Sequence, residues 1–101
     1  MKKLRLGPIR YDVEHVVNLK DGDTELMGCI LYQEGKIYLR KNMGKQMSKA
    51  VFLHEIVHGI LNQAGTQEHS EQVIDAIAFG LLDLSRNKPG FIKINFEGYV
   101  E

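Results

Sequence analysis

The hydrophobic pattern changes period at Gly44, and that change limits what the chain can fold into more than any other feature. Before it, apolar residues come in short runs separated by turn signals. Tyr11, Val13, Val16, Val17 and Leu19 form a β-branched and aromatic run that stops at Asp21-Gly22-Asp23. Met27 to Tyr32 is a short apolar run suited to a buried strand, and Ile37-Tyr38-Leu39 alternates out of a tight turn at Glu34-Gly35. Together these two segments predict a β-hairpin. From Lys45 to Ala64 the positions Met47, Val51, Leu53, Ile56, Val57, Ile60 and Leu61 recur at helical spacing. Gly65 suits the C′ position that ends such a helix. Thr66 is the expected cap of a second helix, with Glu68 near its positive end. Val73, Ile74, Ile77, Leu81 and Leu84 line this second helix, which should stop before Pro89. The expectation is an α+β fold: a small antiparallel sheet of about three strands, two main helices and an extended C-terminal tail.

A chain of 101 residues, 44% of them hydrophobic, supports one domain over residues 1–101 with one modest core. Its formal net charge is zero, which removes the electrostatic argument for nucleic acid or an anionic membrane as partner. The basic cluster Lys2, Lys3, Arg5 and Arg10 reads as a solvated terminus. It also resembles the start of a signal peptide, but Gly7, Pro8, Asp12 and Glu14 interrupt any apolar stretch behind it. No segment approaches the ~20 apolar residues of a membrane span. The expected location is the cytoplasm, in keeping with a lone Cys29 that has no internal disulfide partner. Cys29 is expected as a buried core thiol, and Met43 and Met47 as core gap-fillers.

Within the first predicted helix, residues 54–58 read His-Glu-Ile-Val-His. His54 and His58 are four apart, so they share one helix face about a turn apart. Two imidazoles so placed can converge on one ion, with Zn–N distances near ~2.0–2.1 Å. Glu55 points ~100° around from His54, which keeps it out of the ligand set and beside a metal-bound water instead. Such a water has its pKa lowered to around 7, and a carboxylate next to it can take the proton. Five residues thus supply two zinc ligands and a general base, Glu55.

A catalytic zinc normally has three protein ligands and one open position. A histidine six residues after His58 would complete one metallopeptidase pattern, but that position is Ala64, and Leu61 stands where the pattern has Gly. Glu71 lies in the first turns of the next helix, and an antiparallel helix pair would bring it back toward His58. Asp75 is four residues further on the same face, where it can accept the N–H of a ligating histidine and fix its tautomer. Glu71 as ligand with Asp75 behind it is the preferred assignment. Glu68, His69 and Asp75 itself are the rivals. His15 reads as a packing or surface residue, and His69 as a solvated residue at a helix start.

His54-Glu55-x-x-His58 on one helix, followed by Glu71-x-x-x-Asp75 on the next, resembles the gluzincin metallopeptidases. Within them it is similar to the ImmA/IrrE-type and minigluzincin-like small peptidases common in phages and mobile elements. The resemblance covers residues from about Tyr11 to Leu84 and implies a minimal zincin-like arrangement of sheet, motif helix and ligand-bearing helix. Asp75-Ala76-Ile77-Ala78-Phe79 is also similar to the Glu-Ala-x-x-Phe pattern of the ImmA/IrrE ligand helix, which would move the third ligand onto Asp75. The resemblance further implies proteolysis of a protein or peptide, often a transcriptional regulator. It implies an edge strand that binds substrate as an added strand, with Ile37-Tyr38-Leu39 the candidate.

Two functional classes follow. One is a working zinc metallopeptidase. The other is a zinc-stabilised binding or regulatory module whose peptidase activity is weak, latent or lost. The first is favoured, because Glu55 contributes nothing to metal binding and a module without catalysis has no need of it. The tail, with Phe91, Ile92, Ile94, Phe96, Tyr99 and Val100, is too apolar to be left in water. It can complete the core as a strand or, as the minigluzincin resemblance implies, lie in the active-site cleft and hold the enzyme latent.

Overall fold

The computed structural model of the chain describes residues 2–66 and 70–100. Among these residues the α+β architecture consists of six strands followed by two helices. The strands are β1 (Lys2–Leu6), β2 (Ile9–Val16), β3 (Lys20–Asp21), β4 (Thr24–Glu25), β5 (Gly28–Leu31) and β6 (Lys36–Arg40). Helix α1 spans Lys45–Gln63 and helix α2 spans Glu71–Asn87.

The main sheet has four strands in the order β1-β2-β6-β5, and β3-β4 form a separate two-stranded ribbon. This differs from the expected three-stranded antiparallel sheet in two ways. The N-terminal residues form an edge strand, turning through Gly7-Pro8 into β2, where the φ of 60° at Gly7 suits a two-residue hairpin turn. Lys3 pairs with Asp12 across that hairpin at 2.9 Å, so the basic terminus is part of the sheet. In addition, β6 inserts beside β2 in parallel register, Val13 opposite Ile37 and His15 opposite Leu39, which makes the sheet mixed. The expected hairpin is present as β5-β6, with Ile30 opposite Ile37. Ile37-Tyr38-Leu39, however, is not an edge: β6 is hydrogen-bonded to β2 on one side and β5 on the other. The edge on this side is β5.

Helix α1 lies against the sheet, and α2 packs on α1. Alternation along the strands sends Tyr11, Val13, Ile37 and Leu39 to one face, where they are buried under Phe52, Leu53 and Val57 of α1. Ile74, Ala78 and Leu82 of α2 complete the same core at i, i+4 and i+8. Gly65 ends α1 as expected. Its φ is 84°, its N–H reaches Asn62 O, and the Thr66 N–H reaches Leu61 O, the paired bonds of a Schellman motif. Thr66 is therefore spent on closing α1 and does not cap α2. Ser70 caps it, its hydroxyl accepting from the Val73 N–H at 3.1 Å.

Among the described residues the tail adds no strand, yet it does belong to the core. Phe96 is buried edge-on against Phe52, and Tyr99 stacks on the same ring with centroids 5.4 Å apart. The Tyr99 hydroxyl donates to Lys3 O, and His15 Nε2 donates to the Tyr99 carbonyl at 2.7 Å. His15 is thus a packing residue of β2. Phe91 stays 81% exposed, so only the second half of the tail is folded in. Phe96→Ala is expected to cost about 3 kcal/mol, the usual penalty for emptying a buried aromatic site. Urea denaturation checks this, and an unchanged midpoint would remove the tail from the core.

Two further expectations are corrected. Cys29 is half-buried on the edge strand and is no core thiol, although burial still pushes its pKa up. Met47 is 47% exposed, while Met43 does pack against the core. Among the described residues, no helix is long and apolar enough to cross a membrane.

Candidate metal centre

The motif residues occupy the middle of α1, where the helical repeat turns His54 and His58 toward α2 and Glu55 toward β5. Gly28 makes the second contact possible: a Cβ there would meet Val51 Cγ1 at 2.6 Å and Glu55 Cγ at 3.4 Å. The edge strand therefore runs close past the helix at its motif.

Antiparallel packing of α2 on α1 brings the first turn of α2 over the histidines. Glu71 Oε2 lies 2.7 Å from His54 Nε2, and Glu71 Oε1 lies 3.2 Å from His58 Nε2. The two histidine Nε2 atoms are 3.2 Å apart. His54, His58 and Glu71 each place one donor atom within 4.8 Å of the others, and this group could hold a metal ion. Asp75, one turn along α2, meets the opposite edge of the same imidazole, with Oδ1 2.7 Å from His54 Nδ1. Successive turns of α2 thus contact both nitrogens of His54.

The chemistry of the donor set supports a cation at this point. With its proton on Nδ1, His54 donates to Asp75 and presents a lone pair at Nε2. That lone pair faces a carboxylate oxygen at 2.7 Å, a contact between two acceptors that needs a proton or a cation between them. Glu71 is 69% exposed and closes the group from the solvent side. Glu68 and His69, the other rivals for a third ligand, lie outside the described residues.

Among the described residues Glu55 is the one buried carboxylate at the site, only 7% exposed. Burial pushes its pKa up to about 7; His54 draws it down and Glu71 adds to the rise. Beside it opens a cleft of about 420 Å³ bounded by Glu55, the two histidines and Glu71 on one side and by Ile30 and Tyr32 of the β5 segment on the other. Tyr32 was not singled out from the sequence. It ends an apolar run and carries no spacing signal relative to the motif, so only the strand-helix packing reveals it.

Comparison of the chain with known protein families, with curated proteins and with solved structures finds no match.

Proposed function

We propose that the protein is a zinc-dependent peptidase of minimal zincin-like, gluzincin type, with a protein or peptide as substrate. The observation that carries this reading is the convergence of His54, His58 and Glu71 beside a buried carboxylate that is not one of them. Two imidazoles and one carboxylate are a common ligand set for catalytic zinc. Donor atoms bonded at ~2.0–2.2 Å in a tetrahedron stand about 3.3 Å apart; here the two imidazole Nε2 atoms are 3.2 Å apart and one donor atom from each of the three residues lies within 4.8 Å of the others. When bound, the ion supplies Lewis acidity, polarising the scissile carbonyl and acidifying a coordinated water.

The chain's own residues do the rest. Glu55 takes the proton from the attacking water and returns it to the leaving amine, the two halves of general acid–base catalysis. Asp75 holds the His54 ring in one orientation and one tautomer. Tyr32 lines the cleft with a hydroxyl that can donate to the carbonyl oxygen as it gains charge.

The edge strand gives the substrate a place to lie. Met27 O accepts from Arg40 N, and Leu31 O accepts from Gly35 N, so the odd-numbered residues turn their backbone groups toward β6. By alternation, Gly28 and Ile30 present theirs outward, beside Glu55 and His54, where an extended peptide can add as a strand. This assigns to β5 the role first expected of Ile37-Tyr38-Leu39.

Protein purified without chelator is expected to carry about one zinc per chain by elemental analysis. A chelator should stop cleavage of a peptide library, and added zinc should restore it. No zinc in the purified protein, and none taken up on addition, would end this reading. Zinc bound with nothing cleaved would favour the binding-module alternative.

A further inference from the structure

Helix α2 is apolar on two sides. Its inner side, Ile74, Ala78 and Leu82, is spent on the core. A second stripe runs along the outside: Val73, Ile77 and Leu84 are 53%, 39% and 40% exposed, and Leu81 is half-buried beside them. At ~100° per residue these four positions share one face, whose centre lies roughly 130° around the helix from Glu71. Ala76 and Gly80 fall on the same face and are exposed. No charged side chain interrupts it, and a continuous apolar stripe of this length marks a surface that something covers.

Gly80 points to close approach. Glycine is the poorest helix former after proline, yet it stands in the middle of α2. A Cβ there would meet nothing within 4 Å among the described residues, whereas a Cβ at Gly28 or Gly59 would strike a neighbouring side chain. The single chain therefore gives no reason for a hole at position 80, and a second surface pressed onto α2 does.

We propose that the outer face of α2 is the interface of a homodimer, in which two copies of the helix pack antiparallel across a two-fold axis. The order of residues along the stripe selects a second copy, because an isologous contact must fit its own sequence reversed. An axis placed midway between Ala78 and Phe79 sets Ile77 opposite the second copy's Gly80, and Leu81 opposite its Ala76. Each large side chain near the axis thus meets a small one. At the two ends Val73 meets the second copy's Leu84. On the rim Asp83 comes within a turn of the second copy's Gln72, whose amide can donate to it, and the two Asp83 carboxylates stay about 14 Å apart along the helix axis. The size suits a weak but specific dimer. α2 has 17 residues and is therefore about 25 Å long. A contact of that length and one helix wide removes on the order of 500 Å² from each copy, near the ~1,000 Å² in total at which specific interfaces begin. Glu71 faces away from the contact, so both clefts stay open and the dimer does not depend on the peptidase reading.

The test is sedimentation equilibrium of the full chain, with and without zinc, over a wide range of concentration. A monomer–dimer equilibrium with a roughly micromolar Kd is expected in both cases. Ile77→Glu sets two like charges beside the axis and should leave a monomer throughout. Its circular dichroism should match wild type, because position 77 is exposed in the single chain. Gly80→Leu fills the hole while improving helix propensity, and should weaken dimerisation by about tenfold or more. Ile77→Ala combined with Gly80→Leu exchanges bump and hole, and should recover most of the wild-type affinity. That recovery follows only if position 77 faces position 80 of the second copy. A monomer at every concentration would overturn the proposal and leave the face to a different protein. A dimer untouched by Ile77→Glu, or a Gly80→Leu defect that Ile77→Ala does not repair, would overturn it as well.

Discussion

Glu55→Gln is expected to lower kcat/KM by about 10²–10⁴-fold, the usual contribution of a positioned general base. The amide is nearly isosteric with the carboxylate but cannot take a proton from water. Zinc content should not change, because Glu55 lies outside the group formed by His54, His58 and Glu71. Stability should hold or rise slightly. The native carboxyl is buried with its pKa pushed up to about 7, so at higher pH the fold carries the cost of a desolvated charge that glutamine lacks. The sign follows from the linkage. A carboxyl with a raised folded pKa destabilises the fold above its unfolded value near 4.5, increasingly so up to about 7. Peptide hydrolysis, elemental zinc and a thermal melt read the three quantities separately. Full activity in Glu55→Gln would show that another group accepts the proton.

The second large effect separates the two carboxylates of α2. Glu71→Ala removes the oxygens that face both histidine Nε2 atoms, and should weaken zinc binding by more than about 100-fold. Asp75→Ala removes only the acceptor behind His54 Nδ1, where losses of about 10–100-fold are typical of such outer partners. Asp75→Asn should fall between wild type and Asp75→Ala, because an amide oxygen still accepts the N–H and holds the tautomer. Competition against a calibrated chelator measures all three. The reverse order would make Asp75 the ligand, as the Glu-Ala-x-x-Phe resemblance implied, and would require α2 to rotate relative to its position here. His58→Ala should resemble Glu71→Ala, since it deletes one of the three donors outright.

How much of this was legible in the residues follows the range of the forces involved. Helix α1, its Gly65 terminus and the β5-β6 hairpin were readable because each depends on neighbours within a few residues. The same is true of the His54-to-His58 motif. Four residues of α-helix fix the separation of His54 and His58 whatever surrounds them, and one residue's rotation sets Glu55 apart. The cap of α2 was misplaced by four residues, because Thr66 and Ser70 are equally good acceptors. Thr66 was already committed to the end of α1 through its N–H to Leu61.

What no local pattern encodes is which surfaces meet. The position of β6 between β2 and β5 is set by burial of Ile37 and Leu39 against strands far away in sequence, and it decides which strand is left as an edge. Met47 fits a helical apolar stripe as well as any core residue does, yet the packing of α2 and β5 leaves it at the rim of a hollow. The sequence alone established two histidines and a glutamate on one helix, and a carboxylate pair on the next. Only the packing of α2 across α1 decided that Glu71 meets the Nε2 side of His54 and Asp75 the Nδ1 side. Both carboxylates lie on one face of α2, and the choice between them depends on the crossing and axial offset of two helices. Those are fixed by the fit of Ile74, Ala78 and Leu82 against α1, a property of the whole core that no five-residue spacing contains.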